Sequence, residues 1–245
     1  MRSIVFSPHL DDAVFSCGGF LWQQAQAGRK VEVWTLCAGD PPDEAYSPFA
    51  RTLHARWGLE GAAVVAVRRS EDWAACQLLG AVARHLELPD CIYRRGPAGA
   101  SLYASEEAIF GSLHPADGAR AADLARSLAQ ELTPEDQVYC PLTVGNHVDH
   151  QLTRRLVESL ARPVIYFADV PYALRPEATA AALVPSGATA FIESVSAAAL
   201  EKWVKASFAY ASQVNSFWQD EAALHAALAS FLHNTGGFPM WRTDK

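Results

Sequence analysis

Residues 2–7 (RSIVFS) form a short apolar, β-branched run that stops at Pro8, which has no N–H for a sheet ladder. That pattern predicts a first strand opening into a loop. From 14 to 27 (VFSCGGFLWQQAQA) apolar positions recur at helical intervals and give out at Gly28, and a second apolar run, KVEVWTLCAG at 30–39, follows directly. Residues 2–39 therefore predict a βαβ unit of a parallel sheet, a class in which ligands sit beyond the carboxyl ends of the strands. Helical periodicity returns at 50–58 and 70–86, and further helices are expected near 121–132, 149–161 and 197–209. Apolar runs at 89–93 (PDCIY), 137–140 (QVYC), 163–168 (PVIYFA) and 188–192 (ATAFI) supply candidate later strands. The alternation predicts the α/β class: a Rossmann-like fold with a mainly parallel sheet flanked by helices and its site at the carboxyl ends of the strands.

Two segments fall outside that rhythm. Residues 40–50, rich in proline and acid, read as a loop beyond the second strand, and the glycine-rich stretch 94–118 reads as a functional loop or a lid. Neither looks like a linker, so the 245 residues are taken as a single domain, 1–245. Half of the residues are apolar and 19% are charged, which suits a chain that buries a sizeable core. The alanine-rich stretch 178–192 is broken by Pro185, Ser186 and Gly187, so no apolar run reaches the roughly 18–20 residues of a membrane helix. The expectation is therefore no membrane partner.

Charge narrows the partners further. Twenty basic residues against 27 acidic give a net charge of −7, which argues against binding to a nucleic-acid backbone. The amino terminus, MRSIVFSPHL, lacks the layout of a secretory signal, and cytoplasmic residence is the default expectation. Five scattered cysteines without CxxC spacing read as reduced thiols, not as a disulfide framework or a thiolate zinc site. No GxGxxG follows the first strand, which leaves a dinucleotide role without its fingerprint.

The chemistry concentrates in two short clusters, each just after a predicted strand. SPHLDD at 7–12 carries His9, Asp11 and Asp12, and GNHVDHQ at 145–151 carries His147, Asp149 and His150. If the two strands are neighbours the loops converge, and two histidines plus a carboxylate then make a metal site with an open position for water. Any one of these residues alone would read as an ordinary surface or capping residue. Six in two loops do not. His54, His85, His114, His225 and His233 lack acidic companions at such spacing and are read as structural.

SPHLDDAVFSCGG resembles the amino-terminal motif of the PIG-L (LmbE-like) family of zinc-dependent N-acetylglucosaminyl de-N-acetylases, and HVDH resembles that family's second histidine motif. Softer likenesses lie in TLCAGDPP (35–42), RRSEDWAACQLLGA (68–81), YFADVPYA (166–173) and KWVKASFAYASQ (202–213). The resemblance implies zinc, with iron(II) as the other metal to consider, held by His9, Asp12 and His150. It also implies Asp11 as general base and His147 as oxyanion stabiliser, with Asp149 holding the His147 ring and raising its pKa. The sequence departs from the family pattern at Leu10, where proline is usual, and at Ala13, where glutamate is common.

Arg69 and Asp40 are the expected substrate-binding residues, and a small amino-sugar conjugate is the expected partner. Trp57, Trp73, Tyr103, Tyr172 and Trp218 are candidates to stack on a sugar face. Gly18 and Gly19 are expected to bring the first helix close to the site loop. Whether the chain forms a homo-oligomer is open. Two other readings share the His-x-x-Asp…His pattern: a non-haem iron oxygenase and a non-catalytic binding protein on the same fold.

Overall fold

The computed structural model describes residues 1–42, 46–59, 61, 63–96, 98–175 and 180–244. Residues 43–45 of the loop expected at 40–50, and 178–179 of the alanine-rich stretch, lie outside the described residues. In chain order the elements are β1 (Arg2–Ser7), α1 (Asp12–Gln26), β2 (Lys30–Thr35), α2 (Pro48–Trp57), α3 (Ala63–Leu79) and β3 (Val82–His85). Then come α4 (Glu106–Ile109), α5 (Pro115–Ala129), β4 (Gln137–Pro141), α6 (Val148–Glu158) and β5 (Val164–Phe167). The chain closes with β6 (Thr189–Glu193), α7 (Ala197–Ser207), α8 (Glu221–Thr235) and β7 (Phe238–Arg242).

The strands form one seven-stranded sheet in the order β3-β2-β1-β4-β5-β7-β6. The first five are parallel, and β7 runs antiparallel between β5 and β6. Strand order reverses between β1 and β4, which opens a crevice at their carboxyl ends. Both predicted clusters feed that crevice.

The sheet's two faces bury separate cores. Val5 and Val33 join Val14, Leu21, Leu79 and Trp203 under α1, α3 and α7. Ile4, Phe6 and Trp34 join Leu128, Leu152 and Leu156 under α5 and α6. A third cluster, including Leu10, Leu53, Ile92 and Val148, lies against the loops that follow the strands. All five cysteines are free and buried: Cys17 and Cys76 in the first core, Cys37 and Cys140 in the second, and Cys91 in the third. Burial pushes every one of these thiols up.

Three expectations are corrected. The helix expected over 70–86 stops at Leu79, where Gly80 takes a positive φ of 72°, and the edge strand β3 follows at Val82–His85. The apolar run 89–93 is therefore not a strand; Cys91–Tyr93 forms a buried 3₁₀ turn capped by Asp90. Gly18 and Gly19 serve helix packing and not the site loop, since a Cβ on Gly18 would lie 2.6 Å from the Trp203 ring of α7. The Trp203 indole donates to the Phe15 carbonyl at 3.1 Å, close to Cys17, where α1 leaves helical dihedrals.

At the far end of the sheet, Arg2 grips Asp136 at 2.9 and 2.6 Å, joining the starts of β1 and β4. These hydrogen bonds, working against partial burial, hold the Asp136 carboxyl down to about 2. The folded state keeps this charge to lower pH than the unfolded chain, so the stabilisation is complete above the ordinary value of 3.8 and is lost as pH falls through about 2. Asp136→Asn is expected to cost about 1–2 kcal/mol at pH 7 and less at pH 3, read from denaturant melts of both proteins. A gap that stays constant with pH would assign the loss to packing.

Candidate metal centre and its cavity

Ser7, the last residue of β1, fixes the first loop. Its hydroxyl donates to the His9 carbonyl at 2.7 Å and accepts from the Ala13 amide at 3.0 Å. The second loop is fixed by a helix cap: His147 Nδ1 accepts the Asp149 amide at 3.2 Å at the start of α6. With β1 and β4 paired, the two loops meet.

Asp12 stands at the centre of the meeting point. Its Oδ2 lies 3.0 Å from His9 Nδ1 and 3.3 Å from His150 Nε2. Zinc–nitrogen and zinc–oxygen bonds of about 2.0–2.1 Å in a tetrahedron set ligand atoms about 3.3 Å apart, so these spacings fit a single ion. The outward nitrogens are held as well. His9 Nε2 faces Asp149 Oδ2 at 2.9 Å, and His150 Nδ1 faces Asp169 Oδ1 at 2.5 Å. Each imidazole thus turns one nitrogen to Asp12 and the other to a buried carboxylate, the arrangement that orients histidine ligands. Nitrogens of His9, His147 and His150 also come within 4.8 Å of one another. Among the described residues two further donor groups reach that spacing, but both include Asp149, whose other oxygen is taken by Arg94.

Asp169 was invisible to sequence reasoning because its partner is on α6, and only the likeness at 166–173 marked its neighbourhood. Asp169→Asn keeps the shape and removes the charge behind His150. Metal affinity is expected to fall about 10–100-fold in a chelator-competition titration, and an unchanged affinity would remove Asp169 from the support of the site.

Electrostatics separate the roles. Burial opposes charging of His150, yet Asp12 and Asp169 outweigh it and carry the ring up to about 10. Burial pushes the Asp11 carboxyl up to about 7, with the Arg68 guanidinium 3.4 Å away pulling against it. His147 moves the other way: burial and then the neighbouring His9 press it down to about 3. The Asp149 carboxylate pulls the His147 ring upward, as expected, but burial and His9 outweigh it. The Asp149 carboxylate is spent on His9, the Cys91 amide and Arg94, and only its backbone N–H touches the His147 ring. His147 is a neutral imidazole whose Nδ1 accepts, so its proton sits on Nε2.

Behind Asp149 lies a buried relay. Arg94 bridges Asp149 and Asp117, reaching the latter at 3.0 Å, and Tyr103 and Arg120 also bond Asp117. Asn146 and Gln151 bond the Gly111 carbonyl. Residues 98–118 and Arg94 are accordingly fastened to the loop that carries His147 and Asp149, and they include the short helix α4.

The site opens into a cavity of about 790 Å³. His9, Asp11, Asp12 and His147 lie on its wall. Arg69 and Asp40, expected to bind substrate, bond each other at 2.9 Å and neither lines the cavity. Arg69 also donates to the Ala38 carbonyl. These arginines sit inside α3, not at its start, and the helical turn sends the adjacent Arg68 to the cavity instead, over the Trp57 ring and with its Nε–H unspent. Of the candidate stacking rings Trp57 and Tyr172 line the cavity, whereas Trp73 stacks on His85, Tyr103 bonds Asp117, and Trp218 packs in the first core. Tyr172 reaches the two histidine loops because Gly145 has no side chain, a Cβ there falling 2.6 Å from its ring.

This geometry agrees with what the sequence is similar to. The family described as PIG-L: GlcNAc-PI de-N-acetylase matches residues 4–161, which contain both histidine clusters. The chain belongs to the PIG-L family. A relative from Streptomyces fradiae, 2′-N-acetylparomamine deacetylase, is 31% identical over 96% of this chain and 82% of its own length. Among solved PIG-L-like structures, the zinc-inhibited form of teicoplanin deacetylase Orf2 is 32% identical, with a TM-score of 0.85 over 99% of this chain and 97% of its own. The A40926 pseudoaglycone deacetylase Dbv21 is 31% identical, with a TM-score of 0.76 over 99% and 97%. These full-length relatives are deacetylases. No described helix is long and apolar enough to cross a membrane.

Proposed function

We propose that this chain is a zinc-dependent de-N-acetylase that removes the acetyl group from an N-acetylglucosamine-type sugar conjugate. The observation that carries the reading is the shared Asp12 oxygen between His9 and His150, with each ring backed by its own carboxylate. His9, Asp12 and His150 are the ligands in this reading. When bound, zinc supplies a Lewis acid for the amide carbonyl and a water acidified toward about pH 7.

The chain's own groups do the rest. Asp11 accepts a proton from the attacking water as the new C–O bond forms, and returns it to the sugar nitrogen as the C–N bond breaks. The products are acetate and the free amine. His147 donates its Nε2–H to the carbonyl oxygen as charge develops there, and as a neutral donor it keeps that proton throughout. Asp149 and Asp169 act through the rings they orient and are positioning residues. Arg68, with its unspent donor on the cavity wall, takes the sugar-binding role first expected of Arg69.

The oxygenase and binding-protein readings lose ground to the full-length deacetylase relatives, and an oxygenase would leave Asp11 without a task. The test is elemental analysis of protein purified without chelator, beside Asp12→Ala and His150→Ala, paired with amine release from N-acetylglucosamine conjugates. About one zinc per chain, absent from both variants along with amine release, is the expected result. One iron per chain would revive oxygen chemistry, and no metal after zinc reconstitution would sink the hydrolase reading.

A further inference from the structure

Residues 208–220 join α7 to α8 with only one short 3₁₀ turn, Val214–Ser216, yet residues 211–213 and 215–217 of this stretch form part of the cavity wall. Such a connection keeps one conformation only where other elements hold it. Val214 and Trp218 anchor its later part in the first core, and a single turn of α3 anchors its start. Arg68, Glu71 and Asp72, spaced i, i+3 and i+4, share one face of that helix. Arg68 reaches Asp11 at 3.4 Å on the cavity wall. Asp72, 1% exposed, takes the Tyr210 hydroxyl at 2.6 Å and meets His85 Nε2 at 2.7 Å. Glu71 takes Ser212 twice, its backbone N–H on Oε1 at 2.8 Å and its hydroxyl on Oε2 at 2.6 Å.

The direction of the hydrogen bonds carries this clamp one residue further. A carboxylate only accepts, so the Ser212 hydroxyl gives its hydrogen to Glu71 and keeps its lone pairs for the Gln213 side-chain NH₂, 3.1 Å away. The Ser212 carbonyl takes the same NH₂ group at 3.1 Å. Both groups that Gln213 meets on this side are acceptors, so its amide turns nitrogen toward Ser212 and oxygen away. We propose that Glu71 is a positioning residue: through Ser212 it fixes the wall at 211–217 and the sense of the Gln213 amide, and so governs how tightly the sugar is held. The inference rests on the de-N-acetylase reading. Both hydrogen bonds of Glu71 go to Ser212, whereas proton transfer is assigned to Asp11 and the oxyanion to His147. Loss of Glu71 therefore weakens binding and spares the chemical step.

Glu71 is half-buried, so its truncation opens no deep cavity, in contrast to that of Asp72. The experiment measures kcat and KM for amine release from phenyl N-acetyl-β-glucosaminide by the zinc-loaded full chain. Wild type is compared with Glu71→Ala, Glu71→Gln, Ser212→Ala and the double variant Glu71→Ala/Ser212→Ala. In Glu71→Ala KM is expected to rise about 10-fold with kcat within about 2-fold of wild type. Glu71→Gln keeps an oxygen for the Ser212 N–H and a donor for its hydroxyl oxygen, and should bring KM back to within about 3-fold. Ser212→Ala should raise KM about 3-fold by itself and add nothing to Glu71→Ala, because the two residues act as one unit. An unchanged KM in Glu71→Ala, or a fall in kcat at constant KM, the mark of fewer folded molecules, would overturn the positioning role and leave the de-N-acetylase reading standing. KM effects that multiply in the double variant would do the same. No amine released by the wild type, from this glycoside or from free N-acetylglucosamine, would overturn both.

Discussion

Asp11→Asn lowers kcat for amine release by about 10²–10⁴-fold and leaves one metal ion per chain, the loss typical of removing a general acid–base group. The substitution is almost isosteric, so packing stays the same. What disappears is a carboxylate that burial has carried to about 7, where one group can both take and return a proton near neutral pH. The amide can do neither. KM should change little, because Asp11 is assigned to the reacting water and not to the sugar. Unchanged turnover would strike Asp11 from the mechanism, and loss of the metal with the activity would make it a structural member of the centre.

The second large effect lies behind the site. Arg94→Met removes a buried cation, 2% exposed, that pairs with Asp149 and Asp117, both of them fully buried. Breaking such a pair from one side strands its carboxylates and costs about 3–5 kcal/mol. For a chain of this size that is a Tm drop on the order of 10 °C. Denaturant unfolding of wild type, Arg94→Met and the combination Arg94→Met/Asp117→Asn tests it. The double variant should recover part of the loss, because one stranded charge is gone. A single-variant loss below about 1 kcal/mol would mean the two carboxylates are not stranded by losing Arg94.

The sequence exposed the part of this molecule that is locally encoded. β1, α1, β2, β4 and β5 each carry their own hydrophobic period, and both histidine clusters follow strands, so the convergence at the β1–β4 crevice could be anticipated. β3 could not, since it is a half-exposed edge strand with only one strongly apolar residue, Val82. The turn at 91–93 is apolar for a different reason: it is buried beneath the site without joining the sheet. β7 escaped because its place between β5 and β6 depends on antiparallel pairing with strands far away in the chain. Within the site, the residues that converge were legible and the groups that support them were not. Arg94 and Asp169 owe their roles to partners 55 and 19 residues distant. Arg68 and Arg69 differ only in which side of α3 each occupies, and a helix boundary misplaced by several residues hid that difference.

The burial of the cysteines has a practical consequence. Because the thiolate is the reactive form, five buried thiols pushed upward make the native chain slow to alkylate. Labelling at any one of them then requires the layer around it to open first. Cys17 and Cys76 keep time for one face of the sheet, Cys37 and Cys140 for the other, and Cys91 for the loops around the two histidine clusters. Mass spectrometry of a slow alkylation would therefore read, without any added probe, the sequence in which this molecule comes apart.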